Sequence, residues 1–176
     1  MKLSEEILEQ FDIESPKEHD PVNVMQVCDI LDFLHASAQR IVQKSRLYLD
    51  ADDANIEMDC IDIVTAKLND FVQAFRDLVL FILNERGTKK TNPSLRYSIA
   101  SFDTFGFEQT EAEKLFLQEL LLRNEITHDY FNREMHQQKL IWIMTNCSEG
   151  ALDIWHDLNE YCTEHGLLEK YADNNA

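Results

Sequence analysis

The sequence predicts an all-α protein, built as an antiparallel bundle of four to five helices. Only 4 Gly and 3 Pro occur in 176 residues, so little of the chain suits tight turns or β-hairpins. Apolar residues instead recur at three- and four-residue intervals over long stretches, which places them on one face of a helix. The hydrophobic fraction of 44% is sufficient for one domain with its own core.

The chain begins with an acidic N-terminal extension, residues 1–21, ahead of a helical bundle that we assign to residues 22–166. Within the extension, residues 3–13 fit a short amphipathic helix, and a polar, proline-containing break follows it. The first long helix is predicted from about Val22 to Leu49. The aspartates of residues 50–53 are expected to stop it and to open the next helix, because Asp competes with the helical backbone and caps helices well.

A second long helix is predicted from about Ala54 to Arg86. Its apolar stripe consists of Ile61, Val64, Leu68, Phe71, Phe75, Leu78 and Ile82. Gly87 is expected to cap its C-terminal end, since glycine tolerates the left-handed conformation that ends many helices. A loop over residues 88–93 then leads to a shorter helix over Ser94 to Phe105, which Gly106 ends.

The last helices carry the residues of chemical interest. Thr110 and Glu113 have the spacing of a capping box, so a helix is predicted to begin there and to run into residues 123–130. A final helical region is predicted over about His136 to Glu164, with a break near Gly150. Residues 167–176 are assigned to a polar tail.

Charge and cysteine content narrow the class of protein. The net charge of −17 argues against non-specific binding to DNA or to membranes, because both attract positive surfaces. Any contact with RNA is therefore expected at a small local site. Cys28, Cys60, Cys147 and Cys162 are scattered and form no C-x-x-C pair. With no apolar leader and no uninterrupted apolar span, this pattern predicts a cytoplasmic protein with reduced thiols.

Three side chains near the end of the helix that is predicted to begin at Thr110 suit phosphoester chemistry. The guanidinium of Arg123 can hold a phosphate group, His128 can transfer protons near neutral pH, and Tyr130 adds a hydroxyl group. The spacing of Arg123 and His128 alone recurs by chance, and the tyrosine two positions later makes the pattern informative. On a regular helix Arg123 and His128 would point about 140° apart. Either the helix bends or ends there, or a second copy completes the site.

The segment from Leu122 to Phe131 reads LRNEITHDYF and resembles the R-x-x-x-x-H-x-Y signature of HEPN proteins, in their HepT-like, nucleotidyltransferase-substrate-binding branch. The order of predicted helices fits this family from about Val22 to His165. The resemblance implies a homodimer in which two such motifs face each other. It also implies a metal-independent endoribonuclease that needs no cofactor and leaves a 2′,3′-cyclic phosphate.

The same resemblance assigns roles to individual residues. Arg123 and His128 would be catalytic, with Arg123 stabilising the phosphate and His128 transferring a proton. Asn124 and Asp129 would be supporting residues, with Asn124 orienting His128 or the substrate. The implied partner is a minimal nucleotidyltransferase antitoxin, which would adenylylate Tyr130. The chain shows no phosphate loop or paired aspartates of that enzyme, so it is predicted to be the partner and not the transferase.

Three other interpretations stay open. Arg123 and His128 could be an ion-pair residue and a structural histidine. Glu125 with His128, and Asp153 with His156, could be the two ligand pairs of a di-iron bundle, although no turn is predicted midway between them. The strong acidity also permits a module that binds a nucleotidyltransferase without cleaving RNA.

Overall fold

The computed structural model describes residues 25–88, 92–126 and 133–168. The all-α class is confirmed, since these residues form helices and no strand. The final helical region is divided at residues 147–149, at the break predicted near Gly150. The six described helices are α1 (Met25–Asp50), α2 (Ala54–Glu85), α3 (Leu95–Asp103), α4 (Glu111–Ile126), α5 (Arg133–Asn146) and α6 (Gly150–Glu164). The predicted helix over residues 3–13 lies outside the described residues.

The helix ends form where the sequence predicts them. The backbone N–H of Thr88 donates to the carbonyl oxygen of Leu83 at 2.9 Å, and that of Gly87 donates to Asn84 at 3.0 Å. Gly87 has φ +87°, so this is a Schellman motif that depends on the glycine to end α2. At the start of α3, the Ser94 side chain accepts a hydrogen bond from the backbone N–H of Tyr97 at 3.1 Å.

A capping box opens α4, as predicted. The backbone N–H of Glu113 donates to Thr110 Oγ1 at 3.1 Å, and the backbone N–H of Thr110 donates to Glu113 Oε2 at 3.2 Å. The Thr110 hydroxyl donates in turn to Asp153 Oδ2 on α6 at 2.6 Å. One threonine therefore caps α4 and ties it to α6.

Helix contacts divide the chain into two compact units. The first consists of the described residues within Met1–Leu34, Val72–Glu108 and Asp157–Ala176, and the second consists of those within His35–Phe71 and Gln109–His156.

The described part of the first unit is a helical cluster with an aromatic core. The ring of Phe102 lies 5.6 Å from that of Phe75, and the ring of Phe105 lies 5.4 Å from that of Tyr161. Arg86 Nε donates to the Tyr161 hydroxyl at 2.8 Å, and its guanidinium carbon lies 4.7 Å from the centre of the Phe105 ring. The guanidinium group of Arg86 is therefore held by a hydrogen bond and by a cation–π contact.

The second unit is a bundle of helices from α1, α2, α4, α5 and α6. Its core includes Phe71 and Phe116, whose rings meet edge to face at 5.2 Å. Other fully buried members are Val64, Leu68, Leu120, Leu140, Ile143 and Ile154. All seven apolar residues that the sequence places on the second long helix are buried. No helix in the described ranges has the length and apolar character needed to cross a membrane.

Candidate functional site

The helices α4 and α5 form an antiparallel hairpin within the second unit. They pack directly on each other, and Lys139 Nζ forms a 2.8 Å ion pair with Glu119 Oε2. That ion pair fixes the register of the hairpin. Arg123, three residues before the end of α4, then lies opposite His136, three residues after the start of α5. Residues 127–132, which connect the two helices in sequence, lie outside the described residues.

Arg123 is a buried cation with little compensation. Its side chain is only 4% exposed. Its Nη1 donates to Asn69 Oδ1 on α2 at 3.3 Å, a long hydrogen bond to a neutral amide. Its Nε is buried and has no hydrogen-bond partner among the described residues, and no described carboxylate forms an ion pair with it. Burial lowers the pKa of the guanidinium. An arginine stays charged nevertheless, because its ordinary pKa lies far above neutral pH.

His136 is the titratable neighbour of this cation. The imidazole is half-buried, and its Nε2 has no hydrogen-bond partner among the described residues. Burial lowers the pKa of His136, and the positive charge of Arg123 lowers it further. The imidazole is therefore held in its neutral form near neutral pH, where one of its ring nitrogens can accept a proton.

Together the two side chains offer a defined chemistry. A buried guanidinium without an anionic partner destabilises the folded state, so such a group is uncommon unless it serves a ligand. An oxyanion such as a phosphate group would give Arg123 the anionic partner that the described residues do not supply. A neutral imidazole beside that oxyanion would be positioned to accept a proton.

The structure places some of the predicted site residues and not others. Arg123 and Asn124 both lie in the last turn of α4, where Arg123 is buried and Asn124 is half-buried. His128, Asp129 and Tyr130 lie outside the described residues, in the segment that joins α4 to α5. Their approach to Arg123 therefore stays a prediction.

His136 and Asn69 are the two members of the site that sequence reasoning missed. From the sequence alone, His136 is interpreted as a solvated or structural histidine at the start of a helical region. The position of His136 could have been inferred from the sequence, because residues equally far from the centre of a helical hairpin lie opposite each other. Had the hairpin been drawn around residues 127–132, it would have paired Arg123 with His136. Asn69 comes from α2, and no spacing in the sequence connects it to Arg123.

An open groove lies along one stripe of α5. It has a volume of about 230 Å³ and is lined by Met135, Gln138, Lys139 and Trp142. These residues follow helical spacing along one stripe of α5. Trp142 is 38% exposed and Met135 is 48% exposed, so an aromatic and a thioether surface lie next to the cation Lys139.

Two other histidines, and one residue of the alternative metal pairs, have contacts that stabilise the fold. The His35 ring stacks on Trp155 at 3.8 Å, and the His165 ring stacks on Tyr161 at 3.9 Å, so both have packing roles. Asp153, one carboxylate of the alternative di-iron arrangement, accepts the hydrogen bond from Thr110. Its contact is therefore a structural link between α4 and α6.

Comparison with known proteins yields no relative for this chain. No family model, no curated protein and no solved structure matches it. A function for this chain therefore has to be inferred from the motif in the sequence and from the geometry around Arg123.

Proposed function

We propose that this chain is a metal-independent endoribonuclease of the HEPN type and acts as the toxin of a toxin–antitoxin pair. The observation that supports this function best is the burial of Arg123 without a described anionic partner. This residue stands five positions before His128 and seven before Tyr130 in the R-x-x-x-x-H-x-Y motif. A buried cation next to proton-transfer groups is suited to stabilising a phosphate whose negative charge increases during reaction.

The reaction would begin with attack of a ribose 2′-oxygen on the adjacent phosphorus. The bond from phosphorus to the 5′-oxygen of the next nucleotide breaks, leaving a 2′,3′-cyclic phosphate and a 5′-hydroxyl. Arg123 would stabilise the crowded phosphate, and His128 would transfer a proton. Single-stranded or looped RNA is the proposed substrate, since its backbone is accessible.

The proposed active form is a homodimer in which the two motifs face each other. This arrangement would bring Arg123 of one copy to His128 of the other and remove the difficulty that they diverge on a regular helix. The proposed partner is a minimal nucleotidyltransferase antitoxin that adenylylates Tyr130. A nucleotide attached there would block RNA and add negative charge next to the site.

The test is induction of the wild-type chain in bacteria, compared with His128→Ala and Arg123→Met. We expect growth arrest with the wild type only, together with RNA fragments that end in a 2′,3′-cyclic phosphate. His156→Ala is the matched control, because His156 is exposed and lies outside the motif. Arrest that persists in both motif variants would place the toxicity elsewhere.

A second function is favoured by the net charge of −17, which repels RNA. In this case the chain would bind a nucleotidyltransferase, or be modified by it, without cutting RNA. A folded wild-type dimer that leaves both growth and RNA intact would support that function instead.

A further inference from the structure

Cleavage through a 2′-hydroxyl moves two protons, one from the attacking oxygen and one to the leaving oxygen. Two proton-transfer groups at one phosphate are therefore more effective than one. The motif segment contains a single histidine, His128. The register of the α4–α5 hairpin brings a second histidine, His136, next to Arg123.

Structural histidines in this chain use their ring atoms differently from His136. His165 Nδ1 lies 2.9 Å from the carbonyl oxygen of Tyr161, and its ring stacks on the Tyr161 ring. His35 stacks on Trp155. The Nε2 of His136 is buried and forms no hydrogen bond within the described part of the chain.

We propose that His136 is a second catalytic histidine of the Arg123 site and accepts the proton of the attacking 2′-hydroxyl group. This inference rests on the proposed ribonuclease function and adds the general base to it. The base must be neutral before the reaction, and burial together with Arg123 favours the neutral imidazole.

The proton balance of this step is complete. The 2′-O–H proton moves to His136 as the 2′-oxygen bonds to phosphorus. The bond to the 5′-oxygen then breaks, and His128, protonated at the start, gives its proton to that oxygen. His136 afterwards releases its proton to water, and His128 takes one from water.

The negative charge that forms on the phosphate during the reaction explains why His136 would lie next to Arg123. An imidazolium beside a guanidinium is unfavourable in the free protein, because like charges repel. The phosphate gains negative charge as the 2′-oxygen attacks, and this charge offsets both cations. The pair is therefore stabilised more in the transition state than in the free protein, which is the condition for catalysis.

The kinetic test uses the purified full chain and total cellular RNA, and measures the rate at which 2′,3′-cyclic phosphate ends appear. We expect His136→Ala to lower this rate by a factor of about 10² to 10⁴, the usual contribution of a general base. Added imidazole should restore part of the rate to His136→Ala and none to His156→Ala, which should cut as the wild type does. Far-ultraviolet circular dichroism confirms that each variant is folded.

A binding measurement tests the site without depending on turnover. Inorganic phosphate is titrated into the wild type while the Cε1–H resonance of His136 is followed by NMR. We expect that resonance to shift in the wild type and to stay fixed in Arg123→Met, with the His156 resonance unmoved in both.

The outcomes separate this inference from the function on which it rests. A wild type that cuts RNA equally well after His136→Ala would overturn the role of His136 and leave the ribonuclease standing. Activity lost in His136→Ala without rescue by imidazole, and with no phosphate-dependent shift, would make His136 structural. A folded wild type that cuts no RNA would overturn the ribonuclease and the catalytic role of His136 together.

Discussion

Arg123 and His136 lie opposite each other on the α4–α5 hairpin, and burial together with the charge of Arg123 lowers the pKa of His136. Each also has a buried nitrogen without a hydrogen-bond partner among the described residues. A cation and a histidine in this arrangement destabilise a folded chain relative to a well-packed apolar pair. Their presence is explained if the site is organised for chemistry at the expense of stability.

Replacing the buried cation should therefore cost no stability. In Arg123→Met, an apolar side chain of similar length removes the unpaired charge, and we expect the free energy of unfolding to stay constant or to rise by about 1 kcal/mol. Urea denaturation at neutral pH measures this value. Arg46→Met is the control, because the ion pair of Arg46 with Glu149 is exposed and should contribute less than about 1 kcal/mol.

A large loss of stability in Arg123→Met would contradict this reasoning. It would mean that the guanidinium has an anionic partner in the free protein, and a side chain within residues 125–132 would be the place to search for it.

The low pKa of His136 should also appear in the pH dependence of stability. Its folded-state pKa lies below the ordinary value of 6.5, so the unfolded chain binds more protons in the interval between the two values. The contribution of the neutral imidazole to stability is therefore fully present above pH 6.5 and is lost as the pH falls below it. We expect the wild type to lose more stability than His136→Gln between about pH 7.5 and about pH 5.

The comparison requires urea denaturation of both proteins at each pH. The carboxylates titrate in both proteins, so their contributions cancel in the difference between the two free energies of unfolding. Parallel pH profiles for the wild type and His136→Gln would show that His136 titrates as it does in the unfolded chain.

Much of the fold could be predicted because its signals are local. Helix boundaries at Gly87 and Thr110 depend on residues within one turn, and the apolar stripe of α2 depends only on helical spacing. The division of the chain into two units could not be predicted in this way. It depends on which helices pack together over long sequence separations, and α1, α2 and α6 each contribute to both units.

The site was predictable only in part, for the same reason. Arg123 stands out because it belongs to a motif of neighbouring residues. His136 and Asn69 reach Arg123 through the packing of α5 and α2, so their relation to it depends on tertiary contacts. Patterns within single helices carry no information on such contacts, so neither residue could be assigned to the site from those patterns alone.

The capping box of α4 supplies a prediction about stability alone. Thr110→Ala removes the hydroxyl that accepts from the Glu113 backbone N–H and donates to Asp153. We expect a loss of about 1–2 kcal/mol in the free energy of unfolding, measured by urea denaturation. Thr110→Ser keeps the hydroxyl group and should lose less than about 0.5 kcal/mol. Equal losses in the two variants would assign the effect to the methyl group.

Thiol reactivity should distinguish one cysteine from the other three. Cys28 is exposed, whereas Cys60, Cys147 and Cys162 are buried. Burial raises the pKa of Cys147 and of Cys162 to about 12, so neither forms the reactive thiolate at neutral pH.

With a chromogenic thiol reagent we therefore expect one fast-reacting thiol per chain in the native state, and four after denaturation. Cys28→Ser should remove the fast phase and leave the slow phases unchanged. A fast phase that survives in Cys28→Ser would show that one of the buried thiols becomes exposed in solution.

Gly150 provides the sharpest test of helix packing in the second unit. A Cβ atom added there would lie 2.3 Å from the carbonyl oxygen of Ala112 and 2.8 Å from the Cβ of Phe116. The oxygen belongs to the backbone of α4 and cannot rotate away, so α4 and α6 would have to separate. We expect Gly150→Ala to lower the free energy of unfolding by about 3 kcal/mol, at the upper end for overpacked sites.

Gly106→Ala is the matched control for that substitution. A Cβ atom on Gly106 would meet no atom within 4 Å, and only its φ of +91° opposes the change. The expected loss is about 1–2 kcal/mol, the cost of a left-handed conformation in a residue other than glycine. If Gly150→Ala costs no more than Gly106→Ala, then α4 and α6 separate easily. The hydrogen bond from Thr110 to Asp153 would then weaken in Gly150→Ala. Adding Thr110→Ala to that variant should therefore lower the free energy of unfolding only a little further.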